Sequence, residues 1–222
     1  GAFYKYVNKK LSRPSGVGSL IDDKDALITD DVHKADLLNN YFSSVCTKDD
    51  GNLPNFISRT SSTIETISFT PAIITRCINK LKTNTSAGPD GLPTIILKKL
   101  GDSIAYPLSM FFTSFMSVSK LPTEWKSAIV TPIYKKGQSS CCNNYRPISL
   151  TCTSCKIMER TIVLELTGYL RANNLITREQ HGFLTRRSTT TNLLETLNDW
   201  TVAINGRHLV STVYIDYSKA FD

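Results

Sequence analysis

No stretch of the 222-residue sequence approaches the roughly 18 unbroken apolar residues that a membrane span requires. The start, Gly1-Ala2-Phe3-Tyr4-Lys5, lacks both an initiator methionine and the charged-then-apolar pattern of a signal peptide. Phe221-Asp222 closes the chain without a helix cap or polar tail, so the expectation is a piece cut from something larger. Internal repeats and low-complexity tracts are also lacking, which excludes solenoids and arrays. The cysteines (Cys46, Cys77, Cys141, Cys142, Cys152 and Cys155) do not form the dense framework of a secreted disulfide scaffold. Cys141-Cys142 with Cys152-x-x-Cys155 has the wrong spacing for a paired zinc site, and no histidine lies nearby. Buried thiols in a reducing compartment are the expectation, so the protein is placed inside the cell, in nucleus or cytoplasm, and not secreted or membrane-bound.

The net charge of +7 is unevenly spread. Residues 1–60 hold eight basic and eight acidic side chains and balance. Residues 126–187 hold ten Lys/Arg against Glu159, Glu165 and Glu179, which accounts for the whole excess. A local basic field beside a neutral remainder fits a phosphate partner, and equally a solvated basic surface.

Periodicity predicts helices first, then strands mixed with helices, an α+β plan with a helix-rich N-terminal part. Residues 1–28 read as a basic, then Gly/Ser/Asp-rich linker. A helix follows from about Asp31 to Val45, its stripe being Val32, Ala35, Leu38, Phe42 and Val45. Thr70-Pro71 is a cap and first position of a second helix, with Ile74, Cys77, Ile78 and Leu81 inward. Ser86-Ala87-Gly88-Pro89-Asp90-Gly91 is a turn. A short helix opens at Pro93 and closes at Gly101, and another follows with Ile104, Leu108, Phe111, Phe112, Phe115 and Met116 as a thick core face. Residues 126–134 read as a strand, followed by a polar loop up to Tyr145. A helix from Thr153 to Leu170 comes next, then a capping box at Thr177-x-x-Gln180. Ser188 caps a helix carrying Leu193, Leu194, Leu197, Trp200 and Ile204, and residues 209–217 alternate as a final strand containing Asp216. A carboxylate in such a strand is solvated at its end, paired in a salt bridge or turn, or holding a cation.

Motifs surround these elements in a fixed order. Pro122-Thr-Glu-Trp125 leads into Ala128-Ile-Val-Thr-Pro132-Ile-Tyr-Lys135-Lys136-Gly137. Asn144-Tyr145-Arg146-Pro147-Ile148-Ser149-Leu150 comes next, then Lys156-x-x-Glu159-Arg160. Gln180-His181-Gly182-Phe183 precedes Arg187-Ser188-Thr189, and Ile215-Asp216-x-x-Lys219-Ala220-Phe221-Asp222 ends the series. With the Ser86–Gly91 turn, this series resembles the reverse transcriptase of non-LTR, LINE-type retrotransposons, close to the jockey-like and chicken-repeat-like groups. The resemblance covers residues 69–222, while residues 1–68 look like the connector between endonuclease and polymerase in such elements.

The resemblance implies the fingers of a right-hand polymerase over residues 69–206 and the first strand of the palm over 207–222. It implies an RNA-directed DNA polymerase that takes an RNA template, a DNA primer and deoxynucleoside triphosphates, with two Mg²⁺ ions. Asp216 then matches a catalytic carboxylate that ligates metal. Lys135 or Lys136, with Arg146, matches the residues that hold the incoming triphosphate. Phe221 matches the bulky residue that excludes a ribose 2′-hydroxyl, and a core aromatic is its other reading. Gln180, Gly182, Arg186 and Arg187 match template contacts, Gly182 by allowing close backbone approach. The further acidic pair that the family needs, written Tyr or Phe-Ala-Asp-Asp, is missing: Asp-Asp occurs only at 22–23, 30–31 and 49–50. Binding of template and nucleotide without activity in isolation is therefore expected, and the alternative is a non-catalytic RNA-binding module derived from a retroelement.

Overall fold

A computed structural model describes residues 16–46, 50–53 and 55–217. Strands β1 (Leu20–Ile21) and β2 (Leu27–Ile28) form a small antiparallel hairpin. The Asp22 carboxylate accepts from the backbone N–H groups of Lys24 (2.9 Å) and Ala26 (2.8 Å) and so closes the turn. The linker reading of residues 1–28 misses this hairpin, because two-residue strands leave no period to detect. Helix α1 (Asp31–Ser44) follows, its N-terminus capped by Asp30, which accepts from His33 N at 3.0 Å. That hydrogen bond holds the Asp30 carboxyl below its ordinary range. Leu20, Leu38, Phe42 and Tyr145 form one buried cluster, which ties this N-terminal part to residue 145. Of the predicted α1 stripe, Val32 is exposed.

A larger core gathers around four helices. Helix α2 (Pro71–Asn79) starts where Thr70 Oγ1 accepts from Ile73 N, and Pro71 occupies a first-turn position that needs no N–H donor. Helix α3 (Thr94–Leu100) ends at Gly101, and α4 (Asp102–Val118) runs on directly from it. Helix α5 (Thr153–Ala172) lays its first half against α2. Ile74, Cys77 and Ile78 of α2 meet Leu97, Leu108, Phe112, Ile157 and Met158. Phe112 is fully buried, with ring centroids 5.6 Å from Phe69 and 5.9 Å from Trp125, both edge-on. The buried stripe of α4 is narrower than its apolar residues suggest, since Phe111 and Met116 face solvent.

The turn at Ser86–Gly91 is seated on this core. A Cβ on Gly88 would lie 2.5 Å from the backbone of Thr151 and Cys152, immediately before α5. Beside it, hydroxyls link Thr85 to Thr94 (2.8 Å) and Thr94 to the buried Thr153 (3.0 Å). Gly88→Ala should therefore destabilise the fold by on the order of 3 kcal/mol, since backbone, unlike a side-chain tip, cannot yield. Urea denaturation measures this, and an unchanged midpoint would contradict the seating.

Strand β3 (Ile129–Tyr134) pairs antiparallel with β4 (Tyr145–Leu150) in the register Pro132↔Pro147 and Tyr134↔Tyr145. Lys135 N donates to Asn144 O at 2.7 Å, so hydrogen-bonded pairs alternate such that Pro132 and Pro147 face each other at a non-bonded position. Neither proline is then missing a ladder bond. Strand β4 was not evident as a strand, because Arg146 and Pro147 interrupt its apolar alternation.

Helix α6 (Thr189–Asn205) has the expected cap at Ser188, reinforced by Thr191, in a reciprocal box. The box read at Thr177-x-x-Gln180 starts no helix, and the segment is a turn in which Gln180 N reaches Thr177 O at 3.3 Å. The predicted strand at 209–217 is also absent: the residues pair with no strand and are all exposed. Alternation makes a strand only where backbone N–H and C=O groups find a neighbour, and among the described residues the only sheets are β1–β2 and β3–β4. The described residues form helices with two small antiparallel sheets, as the α+β reading expects.

Candidate nucleotide and template site

The loop between β3 and β4 is fastened from inside. The Tyr134 hydroxyl donates to Gly137 O, the Tyr145 hydroxyl to Ser139 O at 2.6 Å, and Asn144 Nδ2 to Gln138 O at 2.9 Å. Ile21 N of the first hairpin donates to Ser140 O at 2.9 Å. Burial pushes the Tyr145 phenol up, so this hydroxyl stays a donor at neutral pH. Lys135 and Lys136 stand exposed at the start of this loop, and Arg146 stands exposed on β4. Arg146 opposes Ile133 and Lys135 lies two residues beyond it, so Lys135 and Arg146 share one face of the hairpin as diagonal neighbours. The other face, through Val130, Pro132, Pro147 and Ser149, borders a groove of about 700 Å³ against α1. Lys34 lines that groove but is engaged there, donating to Val17 O at 3.0 Å and pairing with Asp31 at 2.6 Å.

Gln180, Gly182, Arg186 and Arg187 are brought together on the loop that precedes α6, where Gln180, Gly182 and Arg186 are exposed. Space around Gly182 is open apart from Gln180 Nε2, 3.5 Å from a Cβ placed there. Phe183 and Arg186 both hold positive φ angles, 60° and 65°. Non-glycine residues in that region cost about 1 kcal/mol each and persist only where their surroundings fix them.

What fixes this loop is a cluster that sequence reading did not find. His181 is buried, with Nδ1 2.8 Å from Thr191 Oγ1 and Nε2 2.9 Å from Glu195 Oε2. A carboxylate only accepts, so the hydrogen bond between His181 and Glu195 runs from Nε2–H to Oε2, and Arg187 Nη1 approaches the same ring nitrogen at 3.1 Å. Arg187 Nη1 donates to Glu195 Oε1 at 2.7 Å. The hydrogen bond from His181, aided by the charges of His181 and Arg187, holds the Glu195 carboxyl below its ordinary range. Arg187 is thus paired with Glu195 at the half-exposed edge of the cluster. Its eight-residue separation from Glu195 crosses a loop, so no helical spacing could have signalled the pair.

Asp216 is exposed in the segment after α6 and forms no ion pair with the described residues. Phe221 lies outside the described residues. Mg²⁺ wants a cage of oxygen ligands, and among the described residues no three His, Cys, Asp or Glu converge on one point. Those residues do not by themselves make a two-ion site. Burial raises the Cys155 thiol to about 11, helped by the Glu159 carboxylate beside it, and raises Cys152 as well. Such thiols stay protonated and inert at neutral pH. No helix among the described residues is long and apolar enough to cross a membrane.

No model of a protein family matches the chain. Three curated proteins of Drosophila melanogaster do. The RNA-directed DNA polymerase from mobile element jockey is 30% identical over 146 residues, 65% of this chain and 16% of that protein. The probable RNA-directed DNA polymerase from transposon BS is 27% identical over 150 residues, 67% of this chain and 17% of that protein. The corresponding protein from transposon X-element is 24% identical over 155 residues, 69% of this chain and 17% of its own length. The chain therefore spans about a sixth of the length of the relatives it matches. Over two thirds of its residues it resembles the RNA-directed DNA polymerases of jockey and related non-LTR retrotransposons.

Proposed function

We propose that the chain is the template- and nucleotide-holding part of an RNA-directed DNA polymerase of this kind. Residues 69–206 serve as the fingers of a right-hand polymerase and 207–222 as the start of its palm, with residues 1–68 joining them to what precedes. The observation that carries this reading is the fastened β3–β4 hairpin, which sets Lys135 and Arg146 on one exposed face. An ammonium supplies a mobile point charge and a guanidinium a two-pronged grip on phosphate oxygens, the combination that suits a triphosphate. Lys136 adds charge at the same turn. Residues 16–46 brace the hairpin from behind through Leu20, Leu38 and Phe42.

Gln180, Gly182 and Arg186 face the RNA template, with Arg187 beside them. A DNA primer and deoxynucleoside triphosphates complete the substrates. Mg²⁺ would be held by Asp216 together with carboxylates from outside the described residues. The alternative, a non-catalytic RNA-binding module, draws on the lack of any converging acidic group among the described residues. The two readings part on activity. Both expect the 222-residue chain alone to leave a primed RNA template unextended, since one carboxylate cannot organise two ions. Only the first expects extension from a longer protein that includes the chain.

RNA binding by the chain tests what both readings share. Affinity for a single-stranded RNA should fall steeply between low and physiological salt. Reversing the charge of Lys135, Lys136, Arg146 and Arg186 together should reduce the logarithmic salt slope by about 3, near 0.7 for each phosphate left without its cation. Fluorescence anisotropy across a salt series reads the slope. A flat salt response, or an unaltered slope in the variant, would show that these side chains do not meet phosphate.

A further inference from the structure

The loop that presents Gln180 and Arg186 is pinned to α6 through one carboxylate. Glu195 divides its oxygens: Oε2 takes His181 Nε2 at 2.9 Å and Oε1 takes Arg187 Nη1 at 2.7 Å. Both ends of the stretch 181–187 are thereby gathered at one point, and the residues between them are pushed outward. Phe183, held at φ 60°, is 97% exposed, and Arg186, at φ 65°, is exposed three residues further along the same loop. A large exposed aromatic ring on a pinned loop that also carries an exposed guanidinium is what unpaired nucleic acid uses: a face for a base and a cation for its phosphate.

We propose that Glu195 is a positioning residue for RNA binding, which acts by clamping the loop so that Phe183 is held out as a stacking platform for an unpaired base. The inference rests on the template-binding reading above. Its chemistry makes an unusual demand on sign. Glu195→Gln adds one unit of positive charge to the protein, so simple electrostatics requires tighter binding to RNA. The positioning role requires weaker binding. A glutamine amide has one acceptor and one donor end, while His181 and Arg187 both need acceptors, so one of the two is released and the loop with it.

The test is anisotropy with the 222-residue chain and a labelled single-stranded RNA, alongside a duplex RNA, for the parent, Phe183→Ala, Glu195→Gln and the double variant. Phe183→Ala should weaken single-strand binding about tenfold, the loss of one stacked base, and leave duplex binding unchanged. Glu195→Gln should weaken single-strand binding by a similar factor despite its added charge. The double variant should bind no worse than Glu195→Gln alone, because both act through one ring. Thermal melts set the folded fraction, and Arg187→Gln, which breaks the same clamp from the loop side, replaces Glu195→Gln if that variant does not fold; its lost charge is read from the duplex, which should weaken less than the single strand. Unchanged or tighter binding by folded Glu195→Gln, additive losses in the double variant, or full affinity in Phe183→Ala each overturn the proposal while RNA binding itself stands. If the parent chain shows no salt-dependent RNA binding, the template reading fails first and this inference goes with it.

Discussion

A protein that contains this chain within a complete polymerase should lose primer extension by on the order of a thousandfold or more when it carries Asp216→Asn. Asparagine keeps the size of the side chain and most of its hydrogen bonding, and removes only the charge. If Asp216 were a structural partner, that loss would strand a cation and cost stability. The described residues offer it no ion pair and it stands in solvent, so folding should be indifferent to the change. Thermal melting and template binding should therefore match the parent while extension on a primed RNA collapses. A variant that extends primers at near the parental rate would remove Asp216 from the chemistry. One that melts early, with activity falling only in step with folded protein, would return it to a structural role.

The largest effect on stability is expected at Phe112. Its ring is fully buried where α4 crosses α2, between Phe69 and Trp125. Phe112→Ala removes the transfer free energy of that ring and leaves a cavity that three surrounding elements cannot all close. The cost should be about 4 kcal/mol, or roughly 10 °C in Tm for a chain of this size. Phe111→Ala, one residue away and more than half exposed, should cost a small fraction of that. Calorimetry on both compares them directly, and equal losses would mean that the face of α4 has been placed wrongly.

Most helices were legible because their signals are local. Thr70-Pro71 and Ser188 announce helix starts, and Gly101 announces an end, through backbone geometry that a few residues decide. Strand β4 and the β1–β2 hairpin were not, because pairing is decided by a neighbour distant in the sequence and not by the strand itself. Residues 209–217 show the converse: a good alternation is no strand without a partner. Breadth was misjudged on α4 for a related reason, since Phe111 and Phe112 look alike in sequence and only the approach of α2 and Trp125 separates them. In the candidate site, Lys135, Lys136, Arg146, Gln180, Gly182 and Arg186 were found as motif residues and are exposed in the fold. Arg187 was found too, but its engagement with Glu195 was hidden, as was the role of His181 in joining the loop to α6. Such clusters depend on three-dimensional proximity, and a single sequence carries no trace of it.

Photo-crosslinking tests the central claim, the path of RNA over two surfaces of the chain. A single-stranded RNA substituted throughout with 4-thiouridine, bound at low salt and irradiated, would be digested and its protein adducts mapped by mass spectrometry. Adducts should concentrate in residues 129–150 and 178–187, with Phe183 prominent among them and all of them suppressed at high salt. Adducts spread over α4 or confined to residues 16–46, with neither basic surface labelled, would contradict that path.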